Sequence, residues 1–517
     1  MKKLFILAVG VLGVSLIPLL LFVYCNTRDA HPGYSQDLHI TGKDSVKFQA
    51  GFSAKKITPA VEDTWTDSNG NAKFDKGESY HDHNGNGKFD AWWIAGFHNR
   101  RPANGIHDDL WARTVFIDDG TTRIAIVSVD VIGMGYNHTI DIRKEIPQDL
   151  GIDYAVICNT HNHEAPDVIG MWGKGIFKPG VNKKWLAFVK EQAVASIAEA
   201  AAQARPARFR FAEDLTSAIH LVNDTRPPFV LDPGLYVMEA VDAETGKTLG
   251  TVVNWGNHPE TLWSKNVMIT SDFPHYVREG MEKGVFVDGK EVKAGRGGIC
   301  VYLTGSVGGL MTTNDRFAFT SALDSAEYLT ADFKKAEMQG MELAYHALTA
   351  LEKSSETENP SGISIHARSF EIPLKNRLFK LGVALGVLDR GGFTSRGKFR
   401  TEVGALRFSE VQMLLIPGEI YPELVNGGVE NPEGSDYGID PLEIPPLREA
   451  MTSRYKWVLG LANDEIGYIL PKSQWDTKAP FTYGRDKAPY GEENSCGPET
   501  GPAIHGKALE LLNLQNK

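Results

Sequence analysis

Val156-Ile-Cys-Asn-Thr-His-Asn-His-Glu-Ala-Pro-Asp167 passes from an apolar, β-prone run into a polar cluster holding two histidines. Residues two apart on an extended chain share a face, so His161 and His163 are placed to reach one metal or one substrate group. Four further segments repeat the design of an apolar run ending in a polar or glycine-rich turn. They are Val253–Thr261, carrying His258; Cys300–Leu310; Leu414–Tyr421, carrying Glu419; and Leu459–Leu470, carrying Tyr468. Strand ends of this kind are where α/β sheets gather ligands. Taken singly, none of the five is specific, because a lone His or Glu at a strand end is commonly solvated or structurally bonded.

Working outward, the apolar runs predict strands at Arg123–Val131, Tyr154–Asn159, Thr251–Trp255, Ile299–Leu303, Val411–Ile416 and Trp457–Leu461. Two helices stand between them. In Lys183–Gln203, Trp185, Val189, Ala193 and Ile197 recur every four residues, with Asn182 as cap and Pro206 as stop. In Phe333–Glu352, Met341, Tyr345, Leu348 and Leu351 form a second stripe facing the core. The alternation predicts a mixed, layered α/β fold, with one large domain over residues 51–517 and a polar linker over residues 26–50. Phe379–Leu388, an apolar segment flanked by breakers, reads either as core packing or as a lipid-facing wall.

The 517 residues are 42% hydrophobic and 23% charged, which excludes wholesale disorder, a fibrous repeat and a polytopic membrane protein. A net charge of −11 and no Lys/Arg block after residue 3 argue against nucleic-acid binding. Lys2 and Lys3 precede an apolar run, Leu4–Tyr24, so residues 1–25 read as a signal peptide or membrane anchor that exports the body. A lipoprotein reading through Cys25 meets a large Tyr24 where a small residue is expected. The remaining Cys158, Cys300 and Cys496 are odd in number, and the first two read as small buried hydrophobes.

Residues 67–93 hold a tandem cassette. Asp67-Ser-Asn-Gly-Asn-Ala-Lys-Phe-Asp75 recurs as Asp82-His-Asn-Gly-Asn-Gly-Lys-Phe-Asp90, identical at seven of nine positions. Such loops offer a calcium ion oxygens from alternate residues. The first copy supplies Asp67, Asn69, Asn71, the Lys73 carbonyl, Asp75 and, at position twelve, Glu78. The second supplies Asp82, Asn84, Asn86, the Lys88 carbonyl and Asp90, but Trp93 stands at its position twelve. The cassette predicts structural calcium; a polar turn is the plainer alternative.

H-x-H also opens the metallo-β-lactamase ligand set, which needs Asp two residues on, where Ala165 stands. The five clusters, in this order, instead resemble the neutral/alkaline (non-lysosomal) ceramidase family over roughly residues 50–515. The matches are Thr160-His-Asn-His163, Asn254-Trp-Gly-Asn-His-Pro259, Gly305-Ser-Val-Gly-Gly309, Pro417-Gly-Glu419 and Gly460-Leu-Ala-Asn-Asp-Glu-Ile-Gly-Tyr-Ile469. The resemblance implies a zinc ion on His161, His258, Glu419 and Tyr468, and metal-activated water attacking an N-acyl amide of a ceramide-like lipid. It gives His163 an oxyanion or proton-transfer role and, through a shifted match, places the family's arginine on Arg226. The substrate-binding turn maps to Ser306 and Gly308, with Gly308 where the family has serine. That departure leaves open a different amide or ester substrate. A calcium-stabilised, non-catalytic surface protein on the same fold is the reading from another class. A membrane surface is the expected partner.

Overall fold

The chain is described from a computed structural model covering residues 17–44, 46–311, 317–395 and 397–517. Eight strands form the larger sheet: β1 (Phe48–Lys56), β2 (Trp111–Asp118), β3 (Arg123–Val129), β4 (Tyr154–Asn159), β5 (Arg205–Asp214), β6 (Leu235–Asp242), β7 (Thr248–Trp255) and β8 (Ile299–Thr304). Their spatial order is β8-β7-β6-β5-β1-β2-β3-β4. The terminal pairs β7–β8 and β3–β4 are parallel, and the pairs between them antiparallel. The sheet curls until its edges meet. Thr304 donates its hydroxyl to the Thr160 carbonyl at 2.8 Å, and Ser128 bonds the Tyr302 carbonyl. The ends of β4 and β8, opposite edges by sheet order, are thus neighbours.

The second sheet orders Asp37–Ile40, β9 (Ser364–Pro373), β10 (Lys398–Phe408), β11 (Val411–Leu415) and β12 (Tyr455–Leu459), with β11 and β12 parallel. It packs on the first through an aromatic layer in which Phe48, Phe209 and Phe211 meet Phe408, Tyr455 and Trp457. Residues facing this layer are buried from both sides, so their strands read as continuous apolar runs.

Helices cover the outer faces. After α1 (residues 17–27) and α2 (Tyr136–Glu145), α3 (Lys183–Ala202) covers one flank of the larger sheet. The pair α4 (Phe273–Lys283) and α5 (Phe333–Glu352) covers the other. Helix Thr500–Gln515 backs the smaller sheet, beside the short α6 (Arg377–Ala384). The caps follow the expected chemistry: the Asn182 side chain accepts from the amides of Lys184 and Trp185, and Asp332 accepts from that of Lys335.

The fold is the layered α/β arrangement expected, with one correction. Residues 26–50 are not a free linker. Asp37–Ile40 pairs with β9, Phe48 opens β1, and Asp29 bonds Arg400 at 2.7 Å. An edge strand buries little side chain, so its composition resembles a tether. Of the apolar segment Leu4–Tyr24, residues 4–16 lie outside the described residues, and among those described no helix is long and apolar enough to cross a membrane.

Candidate metal centre

Four strand ends converge on one point. His161 and His163 follow β4, His258 follows β7, and Glu419 and Tyr468 open two short parallel strands, Glu419–Ile420 and Tyr468–Ile469. Buried amides lock these ends together. Asn254 Nδ2 donates to the carbonyls of Leu303 and Val458, both at 3.1 Å, joining β7 to β8 and β12. Asn463 Oδ1 accepts from the Ile157 amide at 3.0 Å, joining β4 to the segment that leads to Tyr468. His161 itself has φ 64°, a conformation that costs a non-glycine residue about 1–3 kcal/mol and recurs at functional sites.

The imidazoles are set for a cation. His161 Nδ1 lies 2.7 Å from the Ile132 carbonyl and His258 Nδ1 lies 3.0 Å from the Leu310 carbonyl. Each Nδ1 therefore carries the proton and each Nε2 turns a lone pair inward. Glu419 Oε2 lies 3.0 Å from His258 Nε2 and 3.3 Å from His161 Nε2. The Tyr468 hydroxyl is 3.4 Å from His258 Nε2, and His163 Nε2 is 3.3 Å from His161 Nε2. Donors ~2.0–2.1 Å from a tetrahedral zinc stand about 3.3–3.4 Å apart, close to these contacts; His161, His163 and His258 form one group that could hold a metal, and His161, Glu419 and Glu465 another.

The electrostatics agree. Burial would raise Glu419, yet His161 and His258 hold it well below the usual carboxylate range. Burial, with Glu419 alongside, pushes the Tyr468 phenol well above its ordinary value. Burial, reinforced by the neighbouring His161 and His258, keeps His163 neutral. The fully buried Arg101 bonds the His163 carbonyl at 2.5 Å and pairs with Glu164 at 3.1 Å, fixing the backbone beneath this histidine.

Two acids at the centre carry no mark in the H-x-H or P-G-E segments. Glu260 Oε2 lies 3.5 Å from His163 Nδ1, and burial beside Asp272 and Glu419 raises its carboxyl well above normal. Glu465 lies with His161 and Glu419 in a second possible ligand group; its Oε1 accepts from the Gly467 amide at 2.7 Å while its buried Oε2 has no partner. Their only sequence signal is position, in the turns that carry His258 and Tyr468.

His161, His163, Glu419, Glu465 and Tyr468 form the floor of a cavity of about 90 Å³, or about 800 Å³ when the open space at its mouth is counted; the buried His258 and Glu260 do not line it. Ile169, Met171, Trp172, Phe379, Leu388 and Phe399 make its apolar walls, so the Phe379–Leu388 segment serves as a cavity wall as well as packing inward.

The remaining sequence candidates take other places. Arg226 is buried against Glu492 at 2.8 Å and Glu423 at 3.5 Å and does not line the cavity. Ser306 gives its hydroxyl to Asp232, which Arg448 holds through both of its terminal nitrogens. Gly308 packs behind Glu419: a Cβ there would stand 2.7 Å from the Tyr421 nitrogen and 2.8 Å from the Glu419 oxygen. Gly309 has φ +77°, closed to proline. The Gly308–Gly309 turn therefore follows a path that a side chain at either position would strain.

The cassette folds as two equivalent loops. Asp67 accepts from the amides of Asn71 and Ala72, as Asp82 does from those of Asn86 and Gly87. Asn69 and Asn71 reach Asp75 Oδ2, and Asn84 and Asn86 reach Asp90 Oδ2. Glu78 accepts from the amides of Ser68 and Asp75. In the second loop the buried Asp63 accepts from those of His83 and Asp90, the same two positions. Asp63 thus fills the role vacated by Trp93, a residue no within-loop pattern could point to because it precedes both loops.

Neither a family model nor a curated protein sequence matches the chain. Among solved structures, a ceramidase complexed with C2 superposes with a TM-score of 0.61 at 14% identity, over 90% of this chain and 75% of that one. The neutral ceramidase from Pseudomonas aeruginosa gives a TM-score of 0.60 at 15% identity, over 90% of this chain and 74% of that one. The chain has the fold of the neutral ceramidases.

Proposed function

We propose that the protein is an exported, zinc-dependent hydrolase that cleaves an N-acyl amide bond of a ceramide-like lipid. The observation that carries this reading is the convergence of His161, His258, Glu419 and Tyr468, with donor contacts of 3.0–3.4 Å, at an apolar cavity lined by all of them but the buried His258. Bound there, zinc supplies water acidified to a pKa near ~7. His163, neutral and facing the same floor, takes a proton at Nε2 and delivers it to the leaving amine. Glu260 stands 3.5 Å from the Nδ1 of that histidine, within ion-pairing reach of the ring when it takes a proton but without a hydrogen bond to it. The apolar walls take the acyl chain, and calcium on the paired loops orders the segment before β2.

The Gly308–Gly309 turn favours a second reading: the same centre acting on another amide or an ester, since the family's serine hydroxyl has no room here. Metal analysis of the purified protein before and after mild chelation, with hydrolysis of N-acyl lipids, simple N-acyl amides and esters followed in parallel, separates these readings. About one zinc per chain, with amide hydrolysis lost and restored alongside it and abolished by His161→Ala with His258→Ala, is the expected result. Calcium without zinc and no turnover would leave a non-catalytic surface protein.

A further inference from the structure

We propose that the cavity mouth is a bilayer-docking face, held against the membrane by the N-terminal helix; this rests on the lipid-hydrolase reading above. Two segments supply the rim. In the first, Met171 and Trp172 line the cavity while Ile176 and Phe177, a few residues on, are 74% and 68% exposed. In the second, Phe379 lines the cavity while Leu378 and Leu381 of α6 are 75% and 48% exposed. The segments pack on one another, the Asp389 amide donating to the Ile169 carbonyl at 2.8 Å. Large apolar side chains facing water beside an apolar cavity mark an interaction surface.

Charge names the occupant. Residues 168–184 and 374–390 together hold eight Lys/Arg against one acid, Asp389, in a chain of net charge −11. Apolar tips within a cationic rim fit an anionic lipid surface, each cation near it contributing about 1 kcal/mol.

The N-terminal helix supplies the independent observation. Its Ile17, Leu20, Leu21 and Phe22 are solvent-exposed, and its end is fastened to the rim. Asn26 Nδ2 donates to the Ala384 carbonyl at 3.3 Å, the Phe393 amide to the Thr27 carbonyl at 2.9 Å, and the Ala30 amide to the Gly391 carbonyl at 2.8 Å. The fastened segment, Ala384–Phe393, includes Leu388 and Arg390 of the cavity wall. An apolar helix entering lipid at this point brings the mouth to the bilayer surface, and a lipid reaches the metal floor without crossing water.

The test uses the full chain with Cys25→Ser, since the other three cysteines are buried. An environment-sensitive fluorophore is placed singly at Ile176→Cys, Leu381→Cys or Phe286→Cys, the last exposed on the Val285–Val287 strand beside α5. Each protein is reconstituted into vesicles of phosphatidylcholine and phosphatidylglycerol doped with spin-labelled lipid. Quenching at Ile176→Cys and Leu381→Cys at least about threefold that at Phe286→Cys is expected. Equal quenching at the three positions, or none at the first two, overturns the proposal. Quenching does not depend on turnover, so docking without hydrolysis of any N-acyl lipid would refute the hydrolase while leaving the docking face in place.

Discussion

Gly308→Ser restores the residue the resembling family carries, and the structure states what it costs. The new Cβ would lie 2.7 Å from the Tyr421 nitrogen and 2.8 Å from both the Glu419 oxygen and the Ile420 carbon. All three are backbone atoms, so relief to ordinary contact, near 3.4 Å, needs a shift of about 0.6–0.7 Å in the segment that carries Glu419. Overpacking of this kind costs roughly 1–3 kcal/mol. The displacement also exceeds the ~0.2 Å tolerance of a metal–ligand distance about threefold. Zinc affinity should therefore fall by about 10–100-fold, read by competition with a chelating dye, together with a lower urea midpoint. Gly506→Ser, where nothing lies within 4 Å of the added atom, is the control: it should leave zinc affinity unchanged and, lying within a helix, should not lower the urea midpoint. A Gly308→Ser protein with unchanged zinc affinity and urea midpoint would refute the account of this turn, and a gain in amide hydrolysis would refute it more strongly.

Glu419→Gln keeps the shape of the centre but removes the anion between His161 and His258, so zinc should be lost on desalting, an affinity drop of at least ~100-fold; retention of one zinc per chain by elemental analysis would remove Glu419 from the ligand set. Asp272, the N-cap of α4, is raised by burial to about 6 despite accepting from the amides of Phe273 and Leu262, so its stabilising contribution is whole below its unfolded pKa and lost as pH rises through the folded one. Between about pH 4.5 and 7.5 the stability of the native protein should fall relative to Asp272→Asn by roughly 2 kcal/mol, about 1.5 pH units at 1.36 kcal/mol each; a gap that stays flat in urea titrations contradicts the burial argument. Asp63→Asn and Glu78→Gln should each weaken calcium at one loop by about 10–100-fold and leave the other intact, with two calorimetric sites reduced to one in each case. Loss of both sites from Asp63→Asn alone would show that the loops are not equivalent.

The sequence revealed the strands that are buried from both sides. β4, β7, β8 and β11 are continuous apolar runs, and their observed bounds lie within a few residues of those expected. β4, β7 and β11 are followed by His161, His258 and Glu419, whereas the turn after β8 sends no side chain to the centre. β5 was harder to see, since Ala207, Phe209 and Phe211 alternate with exposed Arg208 and half-exposed Arg210, and the edge strand Asp37–Ile40 alternates Leu38 and Ile40 with polar residues over only four positions, too few to stand out. Glu260, Glu465 and Asp63 act through partners far away in the chain, a relation that spacing within one segment does not encode. The Gly308–Gly309 departure was visible as a substitution, but its meaning as a closed space needed the backbone of Tyr421 beside it.

The donors at positions 161, 258, 419 and 468 are spread along the chain, and Asn463 ties the last of them to β4. During synthesis the first two imidazoles emerge long before the carboxylate and phenol that complete the set. The set of four is therefore complete only once synthesis has passed Tyr468, after every strand of both sheets has been made. Under the zinc reading, selection of the ion falls to the compartment in which the finished chain folds, and a chain terminated before Glu419 would carry His161, His163 and His258 without the carboxylate and the phenol, so its hold on zinc should be weaker.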